Sequence, residues 1–428
     1  MFIKWVQKYF GPIAKKVVEK INGTKNPLTY LHKSMLSRDY STDLKWNSLS
    51  SNNTMVAADI VALDSPLPLK KRDALSKASG DIPKLGMKLY LNERLMSDLN
   101  ILQNRKGSDN EIIKKLFGDT KKCTVGVYET LEYMFLQGLS SGVTSITDEN
   151  NPGIAIRIDF GYKETNKYGA EIPWSNPNAK PLDDIEKIQT AASANGDSIR
   201  YIMMDKQTFN VFKKNQQVRE SYAMYMGFSI TKDTIIPTPD LTKVNQALSA
   251  NYGVEIQVTD RSVVFEKNGV RTVKKPWEQN MVVFLTDLQV GTLTYGQLAE
   301  ELHPVDGVQY QKVDDFILLS KYRKNDPLRE FTSSQALVLP VIDNVDSIYT
   351  LDSEEAATDE QTEGDENFDY NGEVYTLEAV KAALKTVDAR FKVDGLTDTQ
   401  LLAKINNLNA EQIAIFEEAL GEPVEVES

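Results

Sequence analysis

The chain has 428 residues, 41% hydrophobic and 26% charged, which suits two or three folded domains better than one. No run approaches the roughly 18 apolar residues of a membrane helix, so an integral membrane protein is excluded, and lysines at 4, 8, 15 and 16 leave no apolar stretch for a secretory signal. One cysteine, Cys123, rules out an intrachain disulfide or a cysteine metal cage, and two histidines, His32 and His303, leave little for a triad or a histidine metal site.

The net charge of -12 is unevenly spread. From Leu351 onward there are 20 acidic and 5 basic residues, so the rest of the chain is close to neutral. The first 50 residues carry nine Lys/Arg against Glu19, Asp39 and Asp43. Such a chain meets several environments.

Phe2, Trp5, Val6, Tyr9, Ile13, Val17 and Ile21 recur at helical spacing, and Gly11-Pro12 divides them into two short helices. A basic amphipathic start can bind a membrane surface or a partner; an arm packed on its own protein or a neighbouring copy is favoured. Residues 22 to 60, rich in Asn, Ser and Thr, read as an extended arm. Residues 61 to 91 mix prolines, glycines and lysines with short strand-like pieces. They read as a long protruding hairpin, Val61 to Leu63 going out and Leu85 to Leu91 coming back, with Lys70, Lys71 and Arg72 near its middle. Residues 91 to 140 are helical, punctuated by Gly107 and Gly118. Cys123 within them is read as inert.

Ile154 to Phe160 alternates as a half-buried strand. Residues 182 to 300 then mix helices and strands: a helix at 182–195, a strand at Ile199 to Met204, a helix capped by Asp205, a helix at Thr242 to Ala250, and strands at Val254 to Thr259, Ser262 to Glu266, Val270 to Lys274 and Met281 to Leu285. Lys267-Asn268-Gly269 is a hairpin turn signal. Gly291 to Gly296 lacks the ending of a phosphate loop and reads as a structural turn. Strands at Phe316 to Tyr322 and Ala336 to Val341 flank a polar segment and have an obvious partner in the strand at 154–160. Residues 351 to 367 carry eight Asp/Glu and no Lys/Arg, an acidic linker expected to be disordered. Beyond it, Phe368 to Tyr375 reads as a hairpin, and helices follow from Thr376.

No catalytic constellation stands out. Asp183-Asp184, Asp314-Asp315 and Glu300-Glu301 are adjacent acids that cannot converge on one substrate atom from a single helix face or strand face. His303-Pro304 has no nearby acid or nucleophile pattern. The sequence implies neither an enzyme nor a cofactor or metal.

The order of pieces, however, resembles the major capsid proteins of tailed phages, the Hong Kong 97-type fold, and within them the phage lambda-like major capsid protein E family. Asn325-Asp326-Pro327-Leu328-Arg329-Glu330-Phe331-Thr332, followed by an apolar strand to Pro340, is similar to the Asp-Pro-x-Arg-Glu-Phe-Thr stretch of that family. Trp174-Ser175 leading to Asp183-Asp184-Ile185-Glu186 and Asp205 is a second piece. The Val264 to Val273 hairpin, with Met281-Val282-Val283 and Thr294-Tyr295-Gly296 after it, is a third, and the Val61 to Leu91 loop a fourth. The resemblance spans about residues 40 to 350. It implies an α+β chain: within 1–60, after the basic helix, an N-arm from about Asn22 to Ile60, then an E-loop at 61–91, a P-domain with a spine helix at 92–180 and 308–350, and an inserted A-domain at 181–307. The basic amphipathic helix at the start, the acidic linker, 351–367, and a small hairpin-plus-helices module, 368–428, lie outside it.

The implied function is architectural: hexamers and pentamers of the chain form an icosahedral head around phage DNA. Its partners would be other copies, non-specifically the packaged double-stranded DNA, and scaffold, portal and decoration proteins, with no membrane. It would be made in the bacterial host cytoplasm and end in the virion. Candidate inter-subunit contacts are Lys70, Lys71, Arg72, Arg329, Glu330 and Phe331, with ion pairs expected from Arg329 and Glu330 within or between P-domains. The alternatives are a cargo-holding compartment of the same fold, or an enzyme with an unrecognised site.

Overall fold

The computed structural model describes residues 2–22, 30–50, 76–104, 109–146, 156–228, 236–356, 367–370, 373–387, 401, 404–405, 408 and 410–420. It divides into two units, Met1–Ala357 and Thr358–Ser428.

The first unit opens with α1 (Phe2–Asn22). Pro12 does not break it, contrary to the two helices expected. Pro12 is exposed, while Phe10, Ala14 and Val18 on the opposite stripe are buried. Phe10 stacks on Phe117 at 6.4 Å. Burial on both sides of the proline holds the turns in line against the roughly 3 kcal/mol that an interior proline costs. α2 (Leu31–Met35) runs directly into β1 (Leu36–Tyr40), so this part of the expected arm is docked on the body. β2 (Lys45–Ser50) and β3 (Ser76–Asp81) pair as an antiparallel ribbon.

β4 (Lys84–Leu91) belongs to a different sheet, against β16. The returning arm of the long loop is therefore 76–81, not Leu85 to Leu91. Residues 61–63 and 70–72 lie outside the described residues. α3 (Glu93–Asn104) is followed by α4 (Asp109–Ser141), 33 residues long. Leu131, Met134, Phe135, Leu136 and Leu139 of α4 are buried at the centre of the larger core.

β5 (Val143–Ile146) pairs with β6 (Ile156–Asp159) in a separate hairpin. The late strands, expected from sequence to pair with it, pair with each other instead. β7 (Lys167–Ala170) leads to α5 (Pro181–Ala194), which begins on Pro181 and carries Asp183 and Asp184 in its first turn. β8 (Tyr201–Asp205) ends on Asp205, whose carboxylate accepts from the backbone N–H of Gln207 and Thr208 and caps α6 (Lys206–Phe212). Asn215 caps α7 (Gln216–Tyr225) and Asp240 caps α8 (Leu241–Tyr252).

β9 (Glu255–Thr259) precedes the hairpin of β10 (Val263–Lys267) and β11 (Val270–Lys274). Asn268 and Gly269 there have φ of 53° and 80°, the left-handed pair that a two-residue turn needs. β12 (Met281–Leu285) is followed by β13 (Gly291–Gly296), a strand where a turn was expected. A Cβ on Gly291 would lie 2.0 Å from the Val341 carbonyl oxygen, so glycine here serves close strand approach. α9 (Ala299–Leu302), β14 (Gln309–Val313), β15 (Ile317–Lys324), β16 (Arg329–Ile342) and β17 (Ile348–Ala356) complete the unit.

Two sheets organise these strands. One runs β1-β13-β16-β15-β14, with β4 beside the first half of β16 where β13 takes the second half. The other runs β7-β17-β12-β8-β9. β17 thus carries the chain back into the α/β block, and Leu351–Ala356, read as linker, is strand. Trp174, Leu182, Ile185, Ile188, Phe212, Phe284 and Tyr349 fill the second core.

The second unit contains β18 (Asn367–Tyr370) and β19 (Glu373–Thr376), paired antiparallel, then α10 (Leu377–Val387) and α11 (Ala410–Leu420). Val380, Leu384, Leu401, Ile405 and Phe416 form its core.

Candidate assembly surface

β16 sends alternate side chains to opposite faces of the six-stranded sheet. The face towards α4 carries Glu330, 2% exposed. Its carboxylate lies 2.9 Å from Lys321 Nζ and 2.8 Å from Arg323 Nε. Lys321, also 2% exposed, donates to Thr332 Oγ1 at 3.0 Å and lies 5.5 Å from the Phe117 ring of α4. Two cations on one carboxylate, Lys321 buried with it and Arg323 at the solvent edge, make this a structural clamp; removing Lys321 or Glu330 would leave a buried charge uncompensated. Cys123 of α4 is fully buried beside it, and its Sγ–H faces the Thr332 carbonyl at 3.5 Å. Burial, and then Asp119, push this thiol up to about 12.

The opposite face carries Arg329 and Phe331. The register sets Phe331 across from Tyr90 on β4 and Tyr322 on β15. The three rings form a row over three strands, with centroids 5.9 Å and 5.3 Å apart. Arg329 lies 4.5 Å over Tyr90 and Lys88 Nζ 5.4 Å over Phe331. Of the three adjacent residues singled out from sequence, Arg329 and Phe331 therefore share one face, and Glu330 sits on the other. Their partners Tyr90, Lys88, Tyr322, Lys321 and Arg323 were not singled out. Pairing Lys324 with Arg329 around the 325–328 turn would have predicted Tyr322, Lys321 and Arg323, whereas Tyr90 and Lys88 come from β4.

A second polar cluster ties α2 and β1 to the body. His32 and Glu132 are both buried, with Nδ1 to Oε2 at 2.5 Å. Glu132 also accepts from the backbone N–H of Leu31 and His32. Burial holds the His32 imidazole below its ordinary value, despite Glu132. Lys33 pairs with Asp314 at 3.2 Å and lies over the Tyr128 ring. Arg38 bridges Asp314 and Asp315. Burial would raise the Asp314 carboxyl, yet Lys33, Tyr128 and Arg38 together hold it below the usual range. Tyr30 and Arg261 both bond Glu129. His32 and Asp314-Asp315 stand out in the sequence, but no local pattern joins them, because the cluster's members come from four distant segments.

Large apolar side chains stand exposed elsewhere on this unit. Met224, Tyr225, Met226 and Phe228 form one run at the end of α7, and Val264, Val270 and Val273 sit on the β10–β11 hairpin. Among the described residues no group of three or more His, Cys, Asp or Glu is placed to hold a metal ion, and no helix is long and apolar enough to cross a membrane.

Comparison with known proteins follows from this architecture. A search of curated protein sequences gives no significant match. Among solved structures, a protein described as a prophage capsid protein from E. coli CFT073 aligns at 14% identity, over 78% of this chain and 96% of its own, with a TM-score of 0.48. A phage-related protein from Bordetella bronchiseptica RB50 aligns at 12% identity, over 80% and 96%, with a TM-score of 0.46. The capsid protein of Myoviridae phage XM1 aligns at 11% identity, over 74% and 90%, with a TM-score of 0.36. These distant likenesses add nothing to what the sequence profile gives. The profile of a family described as phage major capsid protein E matches residues 14–353, most of the chain and nearly all of its first unit. The chain belongs to the phage major capsid protein E family, the shell-forming proteins of phage heads.

Proposed function

We propose that this chain assembles as hexamers and pentamers into an icosahedral head around double-stranded phage DNA, acting as scaffold-guided shell and not as a catalyst. The observation that carries this reading is the family match across residues 14–353. The exposed apolar run Met224–Phe228 and the valines of the β10–β11 hairpin support it, since surface of this kind is normally covered in an assembly. The N-arm, E-loop, P-domain and A-domain boundaries expected from sequence are part of the same proposal. We adjust them by strand pairing: β7 and β17 go with the sheet of β8, β9 and β12, and β1, β4 and β13 with the sheet of β14, β15 and β16. Arg329 and Phe331 are the proposed contact residues of the outer sheet face, and Lys70, Lys71 and Arg72 those of the E-loop. Scaffold, portal and decoration proteins are the further partners expected.

Electron microscopy of the expressed chain tests the reading. Closed shells are expected. A stable monomer with no shells under all assembly conditions overturns it, and shells purified from infected cells with an enclosed enzyme and no DNA would favour the compartment alternative.

A further inference from the structure

Two bare apolar patches lie on opposite sides of the second sheet. Alternate residues of β12 show which side is which: Val282 and Phe284 enter the core shared with α5, while Val283 and Leu285 enter the larger core built on α4. α7 plants Val218 in the core shared with α5, so it lies on that side. At its C-terminal end Met224, Tyr225, Met226 and Phe228 are 44% to 65% exposed, the longest run of exposed large apolar side chains among the described residues. Residues 221–228 hold no Asp, Glu, Lys or Arg.

The β10–β11 ribbon lies on the α4 side. Val263 is buried in the larger core, and the Phe265 ring meets Tyr133 of α4 edge-on at 4.9 Å. The alternation that turns Val263 and Phe265 inward turns Val264 outward, and the register sets Val273 directly across from it. These two valines are 57% and 65% exposed. Glu266 and Arg271, the next facing pair on that outer surface, bond each other at 2.8 Å and leave it without net charge. Neither patch carries the free cations that phosphates require, so neither is a surface for packaged DNA.

A ring of rotationally related copies joins two different surfaces, one towards each neighbour. One chain cannot bring its two patches together across a sheet that has a core on each face; two neighbours in a ring can. Four large side chains at about half exposure leave about 400 Å² bare, taking about 200 Å² for each. That is about half of what each partner covers in a stable interface. The contact is thus one part of a wider interface between copies and not a free-standing dimer.

We propose that the end of α7 in one copy seats against the Val264 and Val273 face of the β10–β11 ribbon in the next copy of the same hexamer or pentamer. This contact rests on the shell reading above. Its test uses full-length M226C/V273C, with Cys123 left in place because it is fully buried. Oxidised shells are unfolded in detergent with an alkylating agent and no reductant. They are expected to run as a covalent ladder ending at pentamer and hexamer, and each single variant as monomer. A disulfide needs Cα atoms within about 7 Å of each other, so the ladder reports direct contact. Shells that yield only monomer overturn the proposal. So do dimers from M226C alone, which would mean that the patch meets its own copy across a two-fold axis. In wild-type shells assembled from this chain alone, peroxide oxidation of Met224 and Met226 is expected to slow about tenfold relative to the unassembled chain. Equal oxidation in both forms overturns the proposal even should the cysteine variant not assemble, and protection that needs a second protein names that protein as the occupant instead. Micrographs of the same samples keep the two readings apart: absence of shells fails the shell reading, and shells without the ladder fail this contact alone.

Discussion

His32 is fully buried in the polar cluster that ties α2 and β1 to the body. Its Nδ1 meets Glu132, but its Nε2 has no hydrogen-bond partner among the described residues. A proton added there would be an N–H with no acceptor. The sign follows from the lowered folded-state value. The unfolded imidazole takes its proton near 6.5 and the folded one only below that, so the cluster's stability is whole above about 6.5 and is lost as pH falls towards the depressed value. The Asp314 carboxyl, also depressed, adds a loss in the same direction at lower pH, below the ordinary aspartate range. Hydrogen exchange at residues 30–40, corrected for intrinsic rate, should quicken from pH 7.5 to 5.5, and His32→Gln should flatten that change; a pH-independent wild type would refute it. Glu330 makes the opposite kind of site, a buried carboxylate whose charge is met by Lys321 and Arg323. Glu330→Gln leaves Lys321 buried without its counter-charge and should cost about 3–5 kcal/mol in urea unfolding. Lys187→Gln, at the solvent face of α5, should be within ±0.5 kcal/mol. Arg329 lies on the outer face, so charge reversal there should leave folding near normal and reduce shell yield. Equal tolerance of Arg329→Glu and Lys187→Glu in assembly would count against its contact role. Cys123, with its thiol held in the ordinary-protonated form by burial, should resist alkylation until the unit unfolds.

Elements differ in how much of themselves they show in one dimension. α4 was legible because Val127, Leu131, Met134, Phe135 and Leu139 repeat at helical spacing along one stretch, and its packing faces carry that repeat. The β10–β11 hairpin was legible because Asn268-Gly269 is the pair its turn requires. β12 was legible because Met281–Leu285 is apolar throughout, as a strand covered on both sides must be. β1 was not, since only Leu36 of Leu36–Tyr40 is buried and the rest faces water. It forms by parallel pairing with β13, about 250 residues away, and by the Arg38 ion pairs. β17 was hidden for a related reason: its acidic second half reads as linker, but its first half, Ile348 to Leu351, closes the second sheet between β12 and β7. Outer-face contacts such as Tyr90–Phe331–Tyr322 need the register of three strands at once, which no local pattern supplies. The ribbon of β2 and β3 now has a defined root. Trp46 is 5% exposed, opposite Gly80 and beside Phe160 at 6.1 Å. A chain in which residues 52–74 are replaced by a short Gly-Ser turn keeps both strands and that anchor. It should fold with an unchanged melting temperature and fail to close shells. Normal shells from it would sink the assignment of this loop to inter-subunit reach.

At the scale of the whole molecule, the charge turns acidic within β17, a few residues before the fold divides at Thr358. The segment from Leu351 onward carries 20 acidic and 5 basic residues, while the preceding chain is near neutral. The second unit, Thr358–Ser428, has its own core of Tyr375, Val380, Leu384, Leu401, Ile405 and Phe416, with Tyr370 packed edge-on to Phe416 at 5.4 Å. A unit that buries its own apolar side chains needs no contact with the shell to stay folded. Packaged DNA is a dense array of phosphates. Placing an acidic unit of every subunit against it would add a repulsion repeated over the whole lattice, screened only beyond about 10 Å at moderate salt. The outside of the head carries no such opposition and offers decoration proteins and the host surface as partners. The second unit is therefore expected on the outer surface, joined through residues 358–366. Limited proteolysis of intact, DNA-filled heads decides it. Cleavage within 358–366 should release a folded fragment beginning near Asn367 and leave closed shells that still retain DNA. Protection of that fragment until the heads are broken open, with rapid cleavage of the same bond in unassembled chain, would place the unit inside and require basic contacts, such as the lysines of α1, to hold it against the genome.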